Sequence, residues 1–150
     1  MYSCLAAATL TACAPQKQEA PADNFNYSVE HFADLEILRY QVPGFEELTP
    51  QQKEMIYYLS QAAIEGRDIL YDQNCKHNLC IRRTLEAIYE NYQGDKNSTD
   101  FKNMETYLKR VWFSNGIHHH YSGDKFVPEF SQKFFAEAVK SLDPKLLPLM

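Results

Sequence analysis

The densest run of chemistry-bearing side chains is Asn115-Gly116-Ile117-His118-His119-His120-Tyr121-Ser122-Gly123-Asp124-Lys125. Imidazole, phenol, hydroxyl, carboxylate and ammonium groups follow one another over eleven positions, so the stretch can donate, accept and stack. Three adjacent histidines invite a metal reading. Neighbouring side chains diverge on a helix and alternate on a strand, so at most His118 and His120 could face one ion. A zinc site takes three or four ligands, and no Cys or carboxylate stands at an obvious ligand spacing nearby. Hydrogen bonding to a ligand, or within the fold, is the favoured reading, and no metal is expected in this chain. Asn115-Gly116 is a helix stop, because both residues tolerate positive φ. Pro128 closes the loop before another helix. A polar, ring-bearing loop held between rigid elements is how binding loops are built.

The elements that would hold this loop read as helices. Thr49-Pro50-Gln51-Gln52 is a helix start, with Thr49 as cap, Pro50 at the first helical position and Gln52 completing a capping box. Ile56, Leu59, Ala63, Gly66 and Leu70 overlap a second stripe of Met55, Leu59, Ala62, Gly66 and Ile69. So wide an apolar face predicts a central helix. Gly66 costs ~1 kcal/mol there against Ala, which close packing of another backbone would justify. Ile81, Leu85, Ile88, Tyr89 and Tyr92 predict a second helix, closed by Gly94. Phe101, Met104, Leu108, Val111 and Trp112 predict a third, capped by Ser98 or Thr99. Ser131 caps a fourth with Phe135, Ala138, Val139 and Leu142 on its apolar face, and Phe130 placed to staple onto Phe135. Asp143-Pro144 ends it. Only Phe32 to Val42, ending at Pro43-Gly44, alternates with a period of two. The expected fold is mainly α, with little or no strand.

Ahead of this body lies a different kind of sequence. Met1 to Ala14 is apolar and small, too short to span a bilayer, which takes ~20 apolar residues, and of the length of an export signal's apolar core. Leu10-Thr11-Ala12-Cys13 resembles a bacterial lipobox, which makes Cys13 the lipidation site, although Met1-Tyr2-Ser3 lacks the usual basic residue. The alternative is a short apolar helix docked on the body. The reading therefore divides the chain into a signal over 1–13, a flexible tether over 14–31, and a helical segment over 32–150. The expected location is exported and membrane-anchored. Leu146-Leu147-Pro148-Leu149-Met150 is an apolar, Pro-broken ending, expected to pack on something.

Composition excludes several functions. At 150 residues, 45% hydrophobic and 23% charged, the chain suits one ordinary domain. A net charge of −5 offers no broad basic surface to nucleic acid. Ten Tyr and nine Phe predict a core or cleft built from rings. Cys75 and Cys80 read as structural or unpaired thiols, or as a disulfide if Cys75 precedes its helix. No phosphate loop, nucleophile elbow or His-Glu zinc-protease helix is present.

Phe113-Ser114-Asn115-Gly116 and Tyr121-Ser122-Gly123-Asp124-Lys125-Phe126-Val127-Pro128, preceded by Phe32-Ala33-Asp34-Leu35-Glu36-Ile37-Leu38-Arg39-Tyr40-Gln41-Val42-Pro43-Gly44-Phe45, resemble the N-terminal part of the dipeptidyl peptidase III family, and most of all its Bacteroides-type bacterial members. The resemblance covers about Phe25 to Met150. It implies a piece of a larger, two-lobed zinc exopeptidase that releases dipeptides from peptide N-termini. It also implies that the catalytic zinc, held by a His-Glu-x-x-Gly-His or His-Glu-x-x-x-Gly-His helix and a later Glu, belongs downstream, since no His here is followed by Glu. The chain would then be an N-terminal fragment, inactive alone, whose partners are peptide substrate, the missing C-terminal part and the membrane. By resemblance, His120, Tyr121 and Ser122 lie nearest substrate, Asn115 and Gly116 shape the loop, and Lys125 reaches a carboxylate or anchors the loop. The alternative is a non-catalytic helical lipoprotein or peptide-binding module.

Overall fold

A computed structural model describes residues 24–148. Cys13, the signal and most of the tether lie outside the described residues. The fold is mainly α, as expected, with one two-stranded sheet. Strands β1 (Ser28–Phe32) and β2 (Leu35–Leu38) form an antiparallel hairpin in which Phe32 faces Leu35 and Glu30 faces Ile37. Ala33 makes the tight turn with φ 50°. The sequence reading places residues 28–31 in the tether; the structure folds them into β1. It also ends β2 at Leu38, short of the alternating Tyr40 and Val42. The hairpin is tied to the helical body by ion pairs, Lys109 to Glu30 at 2.6 Å and Arg110 to Asp34 at 2.8 Å.

Helix α1 (Pro50–Glu65) starts as its sequence dictates. Thr49 Oγ1 accepts from the Gln52 N–H, and Gln52 Oε1 accepts from the Thr49 N–H. The expected central position is overturned, because α1 has no buried residue and Tyr58 and Leu59 are 62% and 61% exposed. Its two stripes are apolar but meet no partner layer among the described residues. Helicity also breaks at Gly66, so the expected continuous helix becomes α1 and α2 (Arg67–Asn74). No foreign backbone approaches Gly66; a Cβ there would meet only the Ala63 carbonyl. Gly66 thus serves as a break between helices.

The core lies between α3 (Asn78–Asn91), α4 (Thr99–Ser114) and α5 (Gln132–Ser141). Leu85, Ile88, Met104, Leu108, Val111 and Ala138 are sealed within it, and Tyr71 of α2 joins them. Each Leu or Met buried in this way contributes roughly 1.5–3 kcal/mol relative to exposure. Ser98 and Ser131 cap α4 and α5 by accepting from Phe101 and Phe134 N–H groups. Asp100 receives both the Ser131 N–H and its hydroxyl, at 2.8 and 2.9 Å, which docks the start of α5 on the start of α4. Phe130 packs on Phe135 with centroids 5.8 Å apart, as the staple predicts. Trp112, expected in the apolar face of α4, is 39% exposed. Its indole N–H donates to Glu86 at 2.8 Å instead. Leu147, in the apolar ending, packs against the core.

A charged cluster fixes α2 against α3. Arg82 is 5% exposed. It reaches Asp68 at 2.8 Å and lies over the Tyr71 ring at 4.6 Å. Its Nε stands 3.2 Å from Glu86 Oε1 but is not aligned for a hydrogen bond. Arg83 holds the second Asp68 oxygen at 2.8 Å. These hydrogen bonds, Arg83's first, keep the Asp68 carboxyl below its usual range against an opposing desolvation.

Candidate functional site

Helix α4 ends where the Asn-Gly pair predicts. Asn115 takes the left-handed conformation with φ 53° and ψ 38°, and both it and Gly116 direct their N–H groups to the Val111 carbonyl. The chain then turns into a short hairpin that sequence reading leaves as loop. The Phe126 N–H donates to the Ile117 carbonyl, His118 faces Lys125 as an antiparallel bridge, and the His119 N–H donates to the Asp124 carbonyl. His119 to Asp124 therefore forms a tip. Within it, the Tyr121 N–H donates to His119 Nδ1 at 3.2 Å. Ser122 Oγ–H donates to Asp124 at 2.9 Å and accepts from the Asp124 N–H.

The tip is a stack of rings. His119 and His120 lie nearly parallel with centroids 4.4 Å apart, and His120 and Tyr121 are 4.2 Å apart. Phe113 meets His120 edge-on at 5.0 Å. Tyr121 is 89% exposed, so its ring is presented outward rather than used in the core. Two stacked imidazoles present faces to each other and do not converge on one point. Among the described residues no group of three or more His, Cys, Asp and Glu side chains is placed to hold a metal ion. These residues do not fit a zinc site.

Two cavities flank the tip. One, about 410 Å³, is polar and is lined by Asn74, Asn78, Ser114, Asn115, Gly116, His118 and His120, together with Phe113, His119 and Ser122. The other, about 270 Å³, lies under Tyr121 and includes Arg110, Asp124 and Lys125. Of the expected substrate-contacting residues, the structure thus gathers Asn115, Gly116, His120 and Ser122 around the first cavity. Tyr121 and Lys125 stand on the second, which shares Ser122. Lys125 makes no salt bridge among the described residues, and its backbone anchors the hairpin opposite His118.

Sequence reading misses Asn74, Asn78 and Ser114. Asn78 opens α3 and is wholly buried; its Oδ1 accepts from the Ile117 N–H at 3.1 Å, and so holds the base of the hairpin. Asn74 Nδ2 reaches the Asn115 carbonyl at 3.4 Å. A polar residue at the first position of a helix reads as ordinary solvated capping, so only the three-dimensional approach of α3 to the end of α4 reveals the contact. Cys75 and Cys80 are both free thiols. Cys80 lines a separate apolar cavity of about 680 Å³ with Leu85, Tyr107, Phe130 and Phe135, a place with little polar chemistry.

Compared with known protein families and with characterised proteins, the chain matches none.

Proposed function

We propose that these residues form one wall of a peptide-binding cleft, in a protein resembling the dipeptidyl peptidase III zinc peptidases, and that this chain contributes scaffold and substrate contacts rather than catalysis. The observation that carries the reading is the hairpin tip. Exposed, mutually stacked rings stand beside a cavity rich in amide and hydroxyl groups, and a peptide offers both apolar side chains and backbone amides. Asn115, Gly116, His120, Tyr121, Ser122 and Lys125 are the residues assigned to peptide on this reading. The family's zinc would be supplied by polypeptide beyond these 150 residues, and no catalytic step is assigned to the chain. The bare apolar face of α1 supports a further packing partner, since helices in proteins draw most of their stability from packing such a face. Anchoring through a lipid on Cys13, on an exported face of a membrane, rests on the Leu10-Thr11-Ala12-Cys13 sequence.

A second reading, a non-catalytic helical binding module, is favoured by one observation. The α3–α4–α5 core closes on itself, with Ile88, Met104, Leu108 and Val111 fully buried. Calorimetric titration with tetra-alanine, followed by a dipeptide-release assay with added zinc, tests the proposal. Saturable binding without hydrolysis is expected. Dipeptide release by this chain would overturn the assignment of catalysis elsewhere, and no binding would overturn the cleft wall. Zinc-dependent hydrolysis restored by a partner polypeptide distinguishes the peptidase from the module.

A further inference from the structure

Well-packed interiors hold few voids larger than a water molecule, so the apolar cavity of about 680 Å³ beside Cys80 is a recess the fold leaves open. Its walls come from α3, α4 and α5, with Leu85, Tyr107, Phe130, Phe135 and Val139 among them. Among the described residues, no Lys, Arg, His, Asp or Glu lines it. The Thr84 hydroxyl, which also lines it, already donates to the Cys80 carbonyl at 2.8 Å. Tyr107 differs. It is only 9% exposed, yet no group among the described residues bonds its hydroxyl, and burial alone pushes its pKa up. The phenol therefore keeps its proton at neutral pH. Nor is the oxygen sealed: the sealed side-chain atoms without a partner are Asn78 Nδ2, Arg82 Nε and Ser114 Oγ, so Tyr107 Oη retains open surface. The Tyr107 ring meets Phe130 of the cavity wall edge-on, with centroids 5.7 Å apart. A polar cavity of about 560 Å³ borders Tyr107 as well, beside Asn103, Thr106 and Arg110. Those three neighbours lie on α4 itself, around the root of the side chain. Thr84 and Phe135 stand across from α4, on α3 and α5, on the side to which the ring extends.

We propose that this cavity binds a small neutral molecule, an apolar ring system carrying one oxygen acceptor, with Tyr107 Oη as the donor to that oxygen. A recess of this size, apolar but for one placed polar group, has the form of a small-molecule site. Phe130 and Phe135 offer ring faces and edges to the apolar body. An ionised ligand would lose its hydration there without a counter-charge, whereas a neutral carbonyl exchanges one hydrogen bond for another. The inference is independent of the peptide reading at the hairpin tip.

The test uses the whole chain and three probes of one shape: naphthyl methyl ketone, naphthalene and naphthoate. The ketone should bind saturably, naphthalene several-fold more weakly, and naphthoate about tenfold more weakly or worse. Tyr107→Phe removes only the hydroxyl. It should bring the ketone down to the level of naphthalene, leave naphthalene unchanged and hold the melting temperature level. Cys80 reports the place, because it lines the cavity and Cys75 does not. The ketone should slow alkylation of Cys80, read by mass mapping, and leave Cys75 as it was. Ketone binding of equal strength in Tyr107→Phe would overturn the donor assignment. Tighter binding of naphthoate would overturn the neutral class. Binding without protection of Cys80 would place the ligand elsewhere and overturn the site. No binding of any probe would also overturn it, and a Cys80 that is unreactive from the start would then mean that polypeptide fills the cavity.

Discussion

Gly116 lies against the Asn78 carboxamide so closely that a Cβ on Gly116 would overlap both Nδ2 and Cγ. Gly116 also has φ 151°, in the region that disfavours side chains. The start of α3 and the end of α4 are therefore joined through a glycine that has no room to be anything else. Gly116→Ala should cost about 2–4 kcal/mol by overpacking and backbone strain together, read as a shift in the urea midpoint. Gly123→Ala, with open space around it, should stay within roughly 0.5 kcal/mol. Equal effects at the two glycines would contradict this account of the junction.

The Arg82 cluster predicts a second outcome. Arg82→Ala removes the buried cation that Asp68 and Glu86 face, and those carboxylates are themselves 35% and 30% exposed. Partial access to water lowers the cost below that of a sealed pair, to about 2–3 kcal/mol. Chemical denaturation at neutral pH measures it.

Asp68 also gives a pH dependence with a definite sign. Its carboxyl is held below the usual 3.8 by hydrogen bonds from Arg83 and then Arg82. The stabilisation is full above that value and is lost as the pH falls through the lower folded-state value. Asp68→Asn should be less stable than wild type at neutral pH and should lose less on acidification below pH 3.8. Melting temperatures of the two proteins between neutral pH and pH 2 should converge; parallel curves would refute the linkage.

How much of this was readable beforehand depends on whether a feature is local. The capping box at Thr49, the caps at Ser98 and Ser131, the Asn115 stop and the Phe130–Phe135 staple are each written within a few residues, and each is present. Burial is not local. The stripes of α1 look like a core face because apolar spacing records what a helix is able to bury, not what lies beside it. The hairpin after Ile117 was hidden because its strands are too short for a period-two pattern. Asn78 was hidden because its partner comes from a distant helix end.

The exposed face of α1 yields a fourth prediction. Tyr58→Ser and Leu59→Ser should each change stability by no more than about 0.5 kcal/mol, because both side chains are more than half exposed. Both should reduce binding of a hydrophobic dye, for which this face is a ready site. A loss of 2 kcal/mol or more, scaled to Leu59 burial, would mean that the face is covered in solution.

Backbone amide shift mapping during titration with tetra-alanine reads the peptide-binding wall residue by residue. Saturable shifts concentrated at Ser114 to Lys125 and at Asn78, lost together in Tyr121→Ala, are expected. Shifts absent from that hairpin, or gathered instead around the apolar cavity beside Cys80 and Phe135, would contradict it.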